Sequence, residues 1–526
     1  MYSLRLKLSL VALSMLLAIP MNAFALTAQE YFNNGNTAYA QKNYTQALSD
    51  FTQLILASPN EPEAYYNRGV VRALLNDRVG ALEDYTKAIS LKPSHFNAYN
   101  NRATLKEGQG NLQGALEDYT KAISFKPDFA TAYANRGSLK KRLNDNAGAL
   151  ADFTLAIQYN PSYTTAFVNR GIIKYNNKDY QVAIEDFNKA LALDPNNKFA
   201  YLNRGNSRDI LGDRAGAIED FNKAIALDAN YASAYYNRGV TNAVLGKTQN
   251  ALDDYSKAIQ LDPKYVSAYH NRANIKKSLG DKVGALADYN KTIELDANHY
   301  NAYLNRGVLK YDTADWTGAF ADFSKVIQIK PDFAIAYYDL GLVKEATGDK
   351  VGALADYNKT LELDPKYVSA YTNRGNIKDV QGDRQGAIAD YNQALSIDPK
   401  NSNAYYNRGV TKYALGDVTG ALEDYNQCIT LNPSYALAYF SRAVVKVKQG
   451  QYETALVDYN KAIELNANYT NAYTNRALVY AILSKKTEAF ADIDKALSLN
   501  QNNTAATAKI LEKMKLIENH FSQSGL

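Results

Sequence analysis

An asparagine two residues after a tyrosine or phenylalanine recurs twelve times in this chain, always at multiples of 34 residues: Asn33, Asn67, Asn101, Asn135, Asn169, Asn203, Asn237, Asn271, Asn305, Asn373, Asn407 and Asn475. A carboxamide carries both donors and an acceptor. Inside a helix it costs about 0.6 kcal/mol relative to alanine, so twelve of them cost on the order of 7 kcal/mol. Something must compensate. Hydrogen bonds between successive copies, setting their pitch, are one source. Asp339 and Ser441 stand where the row is broken.

Two charged columns accompany the row. An aspartate recurs in all fourteen copies from Asp50 to Asp492, and the position after the asparagine row is arginine in twelve copies, with Asn34 and Leu340 as exceptions. An arginine on one helix and an aspartate on the next, both on partly buried faces, predict a repeated ion pair, because a buried guanidinium without a carboxylate is costly. The spacing leaves open whether Asp84 pairs with Arg68 of its own copy or with Arg102 of the next. A further basic column, Arg72 through Lys446, follows one helical turn after the arginines. Like charges at i, i+4 repel mildly, so these side chains should reach solvent or share the aspartates.

Catalytic chemistry finds little support. His95, His270, His299 and His520 have neither metal-ligand nor triad spacing, and no phosphate-binding loop or zinc-helix motif occurs. No metal or cofactor is expected, and the chain reads as no enzyme. Cys428, the single cysteine, takes the place of alanines such as Ala88, Ala122 and Ala394, and is expected to be a buried thiol.

The elements that position these columns follow from the same period. In the copy from Glu63 to Ser94, Tyr65, Gly69 and Ala73 share one helical face; Ala81, Tyr85, Ala88 and Ile89 mark a second helix. Gly-Asp pairs such as Gly212-Asp213 and Gly280-Asp281 fall between the two. Glycine there ends the first helix in a left-handed conformation and aspartate caps the second. Prolines from Pro59 to Pro433 separate copies. The Gly69 position is Gly or Ala and the Ala81 position Ala in every copy, facing aromatic columns that hold 21 of the 42 tyrosines. Tyrosine is therefore mostly core.

An aromatic, Gly four residues on, Ala twelve after that, an aromatic four further and Pro eight beyond resembles the tetratricopeptide (TPR) repeat. The likeness spans roughly residues 28 to 503 and is closest to the Asn-Arg-Gly variant common in bacterial members. Arginine at the Arg68 position stands where leucine is usual, and the basic column where a second tyrosine is usual. The resemblance implies an all-α fold: a right-handed α-solenoid superhelix of helix-turn-helix units. The organisation expected is residues 26–503 as fourteen repeats and residues 504–526 as a C-terminal capping helix and tail. It also implies that first helices line a concave groove, where Asn67, Asn101, Asn135, Asn169, Asn203, Asn237, Asn271, Asn305, Asn373, Asn407 and Asn475 hold the backbone of a bound peptide. Peptide binding and inter-repeat bonding both remain open for the row. Flanking positions such as Tyr66, Asn100, Val168 and His270 vary between copies, as expected of positions that read a ligand. Aromatics between copies, including Phe129, Tyr231 and Tyr367, are expected to staple the start of each first helix.

Residues 1–25 carry Arg5 and Lys7, an apolar stretch from Leu8 to Ile19, and Ala23-Phe24-Ala25 before Leu26. That pattern predicts a cleaved signal peptide and a periplasmic or secreted protein. Its apolar stretch is shorter than the ~20 residues that span a bilayer, and no later segment is apolar enough, so no stable span is expected after cleavage. Without the leader, 57 basic residues face 54 acidic ones, with no basic block, which gives no reason to expect nucleic acid. The function expected is a non-catalytic scaffold for extended peptide or protein segments. The alternative is a structural component of an envelope assembly, such as polysaccharide export or outer-membrane biogenesis.

Overall fold

Each 34-residue copy closes two helices on one another because its small residues face its aromatics. A computed structural model describes residues 26–500 and 503–524; the leader of residues 1–25 lies outside them. The described chain is all-α, a solenoid of fourteen stacked helix pairs with one further helix, and among the described residues there is no strand. Its described residues divide into two compact units, which meet in sequence at Pro263 and Lys264.

The first unit holds seven repeats, from Ala28–Ala40 paired with Tyr44–Ala57 to Ala232–Val244 paired with Thr248–Leu261. The second holds seven more, from Val266–Ser278 paired with Lys282–Leu295 to Thr470–Ile482 paired with Lys486–Leu499. Repeats are numbered 1 to 14 in chain order.

Within repeat 2, Tyr85 is 2% exposed and Ala81 and Ala88 are fully buried. A Cβ placed on Gly69 would lie 2.8 Å from the Tyr85 ring, which is why that column admits almost no side chain. Burial extends beyond the face read from the sequence. Ala64 and Val71 are also fully buried and join Ala47, Phe51 and Leu54 of repeat 1 in one cluster. The first helix of repeat 2 is thus packed on two sides, against its own partner and against the preceding repeat.

The turn between helices follows the Gly-Asp reading. Gly212 has φ +89°, and the Asp213 carboxylate accepts the Gly216 N–H at 3.0 Å. Six copies place other residues in the left-handed position: Lys42, Asn76, Asn144, Lys178, Ala314 and Ser484, with φ between 58° and 70°. The final helix, Thr504–Ser524, buries Ile510, Ile517 and Phe521 against Tyr473, Ala477 and Ile493. Leu511 is 42% exposed, whereas Phe521 is 2% exposed.

Candidate partner-binding surface

The charged columns form one closed network. Arg68 donates to Asp84 through Nε at 2.9 Å and Nη2 at 2.7 Å, a bidentate pair within a single repeat. Arg72 adds a third donor to Asp84 at 3.0 Å. In repeat 3 the same places are taken by Arg102, Lys106 and Asp118, with Lys106 Nζ 2.8 Å from the carboxylate. The basic column therefore shares the aspartates rather than reaching solvent. The remaining Nη1 of the arginine reaches back to the preceding repeat: Arg102 to Thr86 at 3.3 Å, Arg204 to Asn188 at 2.7 Å, Arg408 to Asn392 at 2.6 Å. Arg68 also lies over the Tyr65 ring at 5.7 Å. Each guanidinium is consumed by architecture, which leaves no row for an external anion.

The Thr86/Asn188 column, directly after the buried aromatic, is a site residue that sequence reasoning missed. Its constant small polar character was the available signal.

The asparagine row lies on the first helices, half-buried along most of its length. Six members donate Nδ2 to the preceding repeat. Asn237, Asn305 and Asn407 reach Asn206, Asn274 and Asn376 at 2.8, 3.1 and 2.9 Å. Asn101 and Asn373 reach the hydroxyls of Tyr66 and Tyr338 at 3.4 and 3.2 Å, and Asn135 reaches Asn100 at 3.1 Å. Asn169 and Asn203 donate instead to carbonyls of their own helices, those of Thr165 and Phe199, although Asn169 Oδ1 accepts from Lys141 of the preceding repeat at 2.6 Å. Asn67 lines a 230 Å³ cleft with Asn36, Tyr39 and Tyr66. Asn271 keeps the same half-buried register, and Asn33 is exposed, accepting from Gln29 at 3.0 Å. Asn475 Oδ1 accepts from Lys513 of the final helix at 2.7 Å. Inter-repeat bonding is thus real for seven of the twelve asparagines.

The variable flanking positions divide. Asn100, Ala134, Val168 and Leu202 are buried between repeats, so much of their variation is core variation. Aromatics between copies do more than staple their own helix: Phe129 occupies the N-cap itself, and its ring meets Phe96 of the preceding repeat edge-on at 5.2 Å. Tyr367 meets Tyr338 of the preceding repeat in a tilted contact, with centroids 4.8 Å apart. His95 and His299 cap first helices, accepting from Ala98 N and Ala302 N at 3.3 and 3.1 Å. His270 packs on His299 at 4.7 Å, and burial pushes its imidazole down to about 4. Trp316 packs edge-on against Tyr311 at 5.0 Å. Among the described residues, no three His, Cys, Asp or Glu side chains gather as metal ligands, and no helix is long and apolar enough to cross a membrane.

Helix pairs stacked by a 34-residue rule, many of them tied to the preceding pair through arginine or asparagine, define a repeat scaffold whose displayed surface is its product. Tetratricopeptide repeat models match residues 32–95, 130–163, 165–197, 232–265, 266–299, 334–367, 402–435, 424–457 and 470–503. A further TPR repeat model matches residues 108–144, 210–246, 381–416 and 445–483. The chain belongs to the tetratricopeptide repeat family, whose scaffolds are typical of protein–protein interaction and generally non-catalytic.

No curated protein matches the sequence. Among solved structures, the chain is similar to Cut9 in the APC/C hetero-tetramer Cut9-Hcn1, with 16% identity over 93% of this chain and 97% of that one, TM-score 0.39. Yeast Tom70 gives 19% identity over 80% and 96%, TM-score 0.34. YrrB, described as a TPR protein with an unusual peptide-binding site, gives 24% over 36% and 96%, TM-score 0.31.

Proposed function

We propose that the first-helix face binds extended peptide or protein segments, with the asparagine row holding the ligand backbone. One observation carries the reading: the row has hydrogen-bonding capacity left after packing. Asn237, Asn305 and Asn407 each donate a single Nδ2 bond to the preceding repeat, while Asn373 engages both Tyr338 and Tyr357 there. Among the described residues their Oδ1 atoms have no protein partner. A carboxamide anchored through one hydrogen is oriented, and its oxygen and second hydrogen remain for one peptide unit of a ligand. Orientation by the fold lowers the entropy cost of each contact.

Backbone recognition has a distinctive signature. Peptides selected from a random library on the purified chain should lose affinity when alternate amides are N-methylated, even with every side chain kept. Asn373→Ala combined with Asn407→Ala removes two contacts of about 1 kcal/mol each, a loss of roughly thirtyfold. Unchanged affinity in that double variant, with helicity intact by circular dichroism, would remove the asparagines from the proposal.

Export to the periplasm or exterior belongs to the same proposal. It rests on the leader pattern of residues 1–25. Mass spectrometry of the mature chain tests it, with Leu26 as the expected first residue; recovery of the uncleaved chain in the cytoplasm would refute it.

A further inference from the structure

Repeat 10 departs from the refrain at two adjacent positions, with Asp339 in the asparagine row and Leu340 in place of arginine. Elsewhere in the second unit, three asparagines of the row find a partner 31 or 35 residues back: Asn305 at Asn274, Asn407 at Asn376, Asn373 at the Tyr338 hydroxyl. For Asp339 those two places hold Val308 and Leu304. Neither offers a donor.

Among the described residues the Asp339 carboxylate makes no hydrogen bond and no ion pair within 4 Å, although it is half-buried. Every aspartate of the structural column from Asp84 to Asp492 is, by contrast, engaged by at least one side-chain donor, as Asp322 is by Arg306 and Lys310. A carboxylate withdrawn from water without a donor is unfavourable, and no side chain within ion-pair distance relieves it. Its surroundings are aromatic: Tyr311, Tyr338 and Tyr367 all lie near enough to sense its charge. Lys277 of repeat 8 is the cation that acts on it, from beyond ion-pair distance. Glu345, one and a half turns on in the same helix, adds a second negative charge and accepts the Tyr357 hydroxyl at 2.8 Å.

We propose that Asp339, flanked by Tyr311, Tyr338 and Tyr367, is a subsite for a cationic side chain, the ammonium of lysine or the guanidinium of arginine, in the bound segment. This deepens the reading of the first-helix face as a peptide-binding surface and rests on it. A cation there gains the carboxylate that the fold leaves unpartnered, and adjacent rings favour it further. An asparagine at the same point offers only an amide dipole. An acidic residue in that register meets Asp339 and Glu345 and is rejected, so the subsite fixes both polarity and register of a ligand.

Asp339→Asn restores the residue that the row carries elsewhere, which protects the fold. Labelled peptides identical except for one central Lys, norleucine or Glu are titrated against the full chain by fluorescence anisotropy. Wild type is expected to prefer Lys over norleucine by about tenfold at low salt, with the preference shrinking as salt rises. The variant is expected to bind the norleucine peptide unchanged and to lose the preference. Preference retained in the variant, or absent from a wild type that still binds peptides, overturns the subsite and leaves backbone binding standing. Peptide binding by neither protein refutes the groove reading, and n-butylguanidinium then decides the subsite alone. Followed through Trp316, which contacts Tyr311, it should titrate wild type at millimolar concentration and leave the variant unaffected; identical curves overturn the proposal.

Discussion

Replacing Asp339 by Asn removes one charge and almost no volume, so its effect on stability should depend on pH in a way a packing change cannot. Burial in aromatic surroundings lifts the Asp339 carboxyl from an ordinary 3.8 to about 7, opposed only by Lys277. The groups around it are Tyr311, Tyr338, Tyr367 and Glu345, none of which relieves a negative charge. The sign follows from linkage: the folded state holds this proton more tightly than the unfolded state, so ionisation destabilises the fold. Stability is fully kept below pH 4 and is lost as pH rises toward 7. At about 1.4 kcal/mol per pH unit the ceiling is about 4 kcal/mol. The carboxylate keeps some contact with water, so about 2 kcal/mol is the expected figure. The Asn variant should therefore match wild type near pH 4 and exceed it by about that much at pH 8. Urea titrations of both proteins at the two pH values measure the gap, and the other titrating groups cancel in the comparison. A gap that is the same at pH 4 and pH 8 would refute the desolvated-carboxylate argument and, with it, the physical basis of the cation subsite.

Asp220→Ala strips the partner from both Arg204 and Arg208, which contact it at 2.6 and 3.0 Å; a loss of about 3–5 kcal/mol is expected for uncompensated buried charge, read by urea denaturation. Ala314→Gly relieves a left-handed residue with φ 59° and should raise the melting midpoint by the equivalent of about 1 kcal/mol, whereas a lowered midpoint would contradict the turn geometry. Cys428 is fully buried, and burial pushes its thiol up to about 11. It should resist iodoacetamide at pH 8 in the native protein and react promptly in denaturant.

The period, the helix pairs, the turn chemistry and the core columns are all legible in the sequence because each repeat poses the same local problem fourteen times. Tyr85 against Gly69, Asp213 capping its helix, and Cys428 in an alanine slot follow from spacing alone. The contacts between repeats are less legible. Nothing in the pattern says that Ala64 and Val71 pack on repeat 1, that Phe129 leans on Phe96, or that the Arg102 Nη1 reaches back to Thr86. Such bonds depend on the angle at which one helix pair meets the next, which the backbone sets in three dimensions and the period does not.

The asparagine row shows the division most sharply. By itself the sequence established its spacing, its placement in the first helix, and an energetic cost that something must offset. Tertiary structure decided which carboxamides offset that cost by bonding to the preceding repeat and which kept capacity to spare. The outcome depends on what stands 31 or 35 residues earlier. Where Asn274 or Tyr338 stands, the amide is held. Where Val308 and Leu304 stand, Asp339 is left with a charge and no partner, because a side chain's neighbours across a repeat boundary are fixed by packing and not by proximity in the chain.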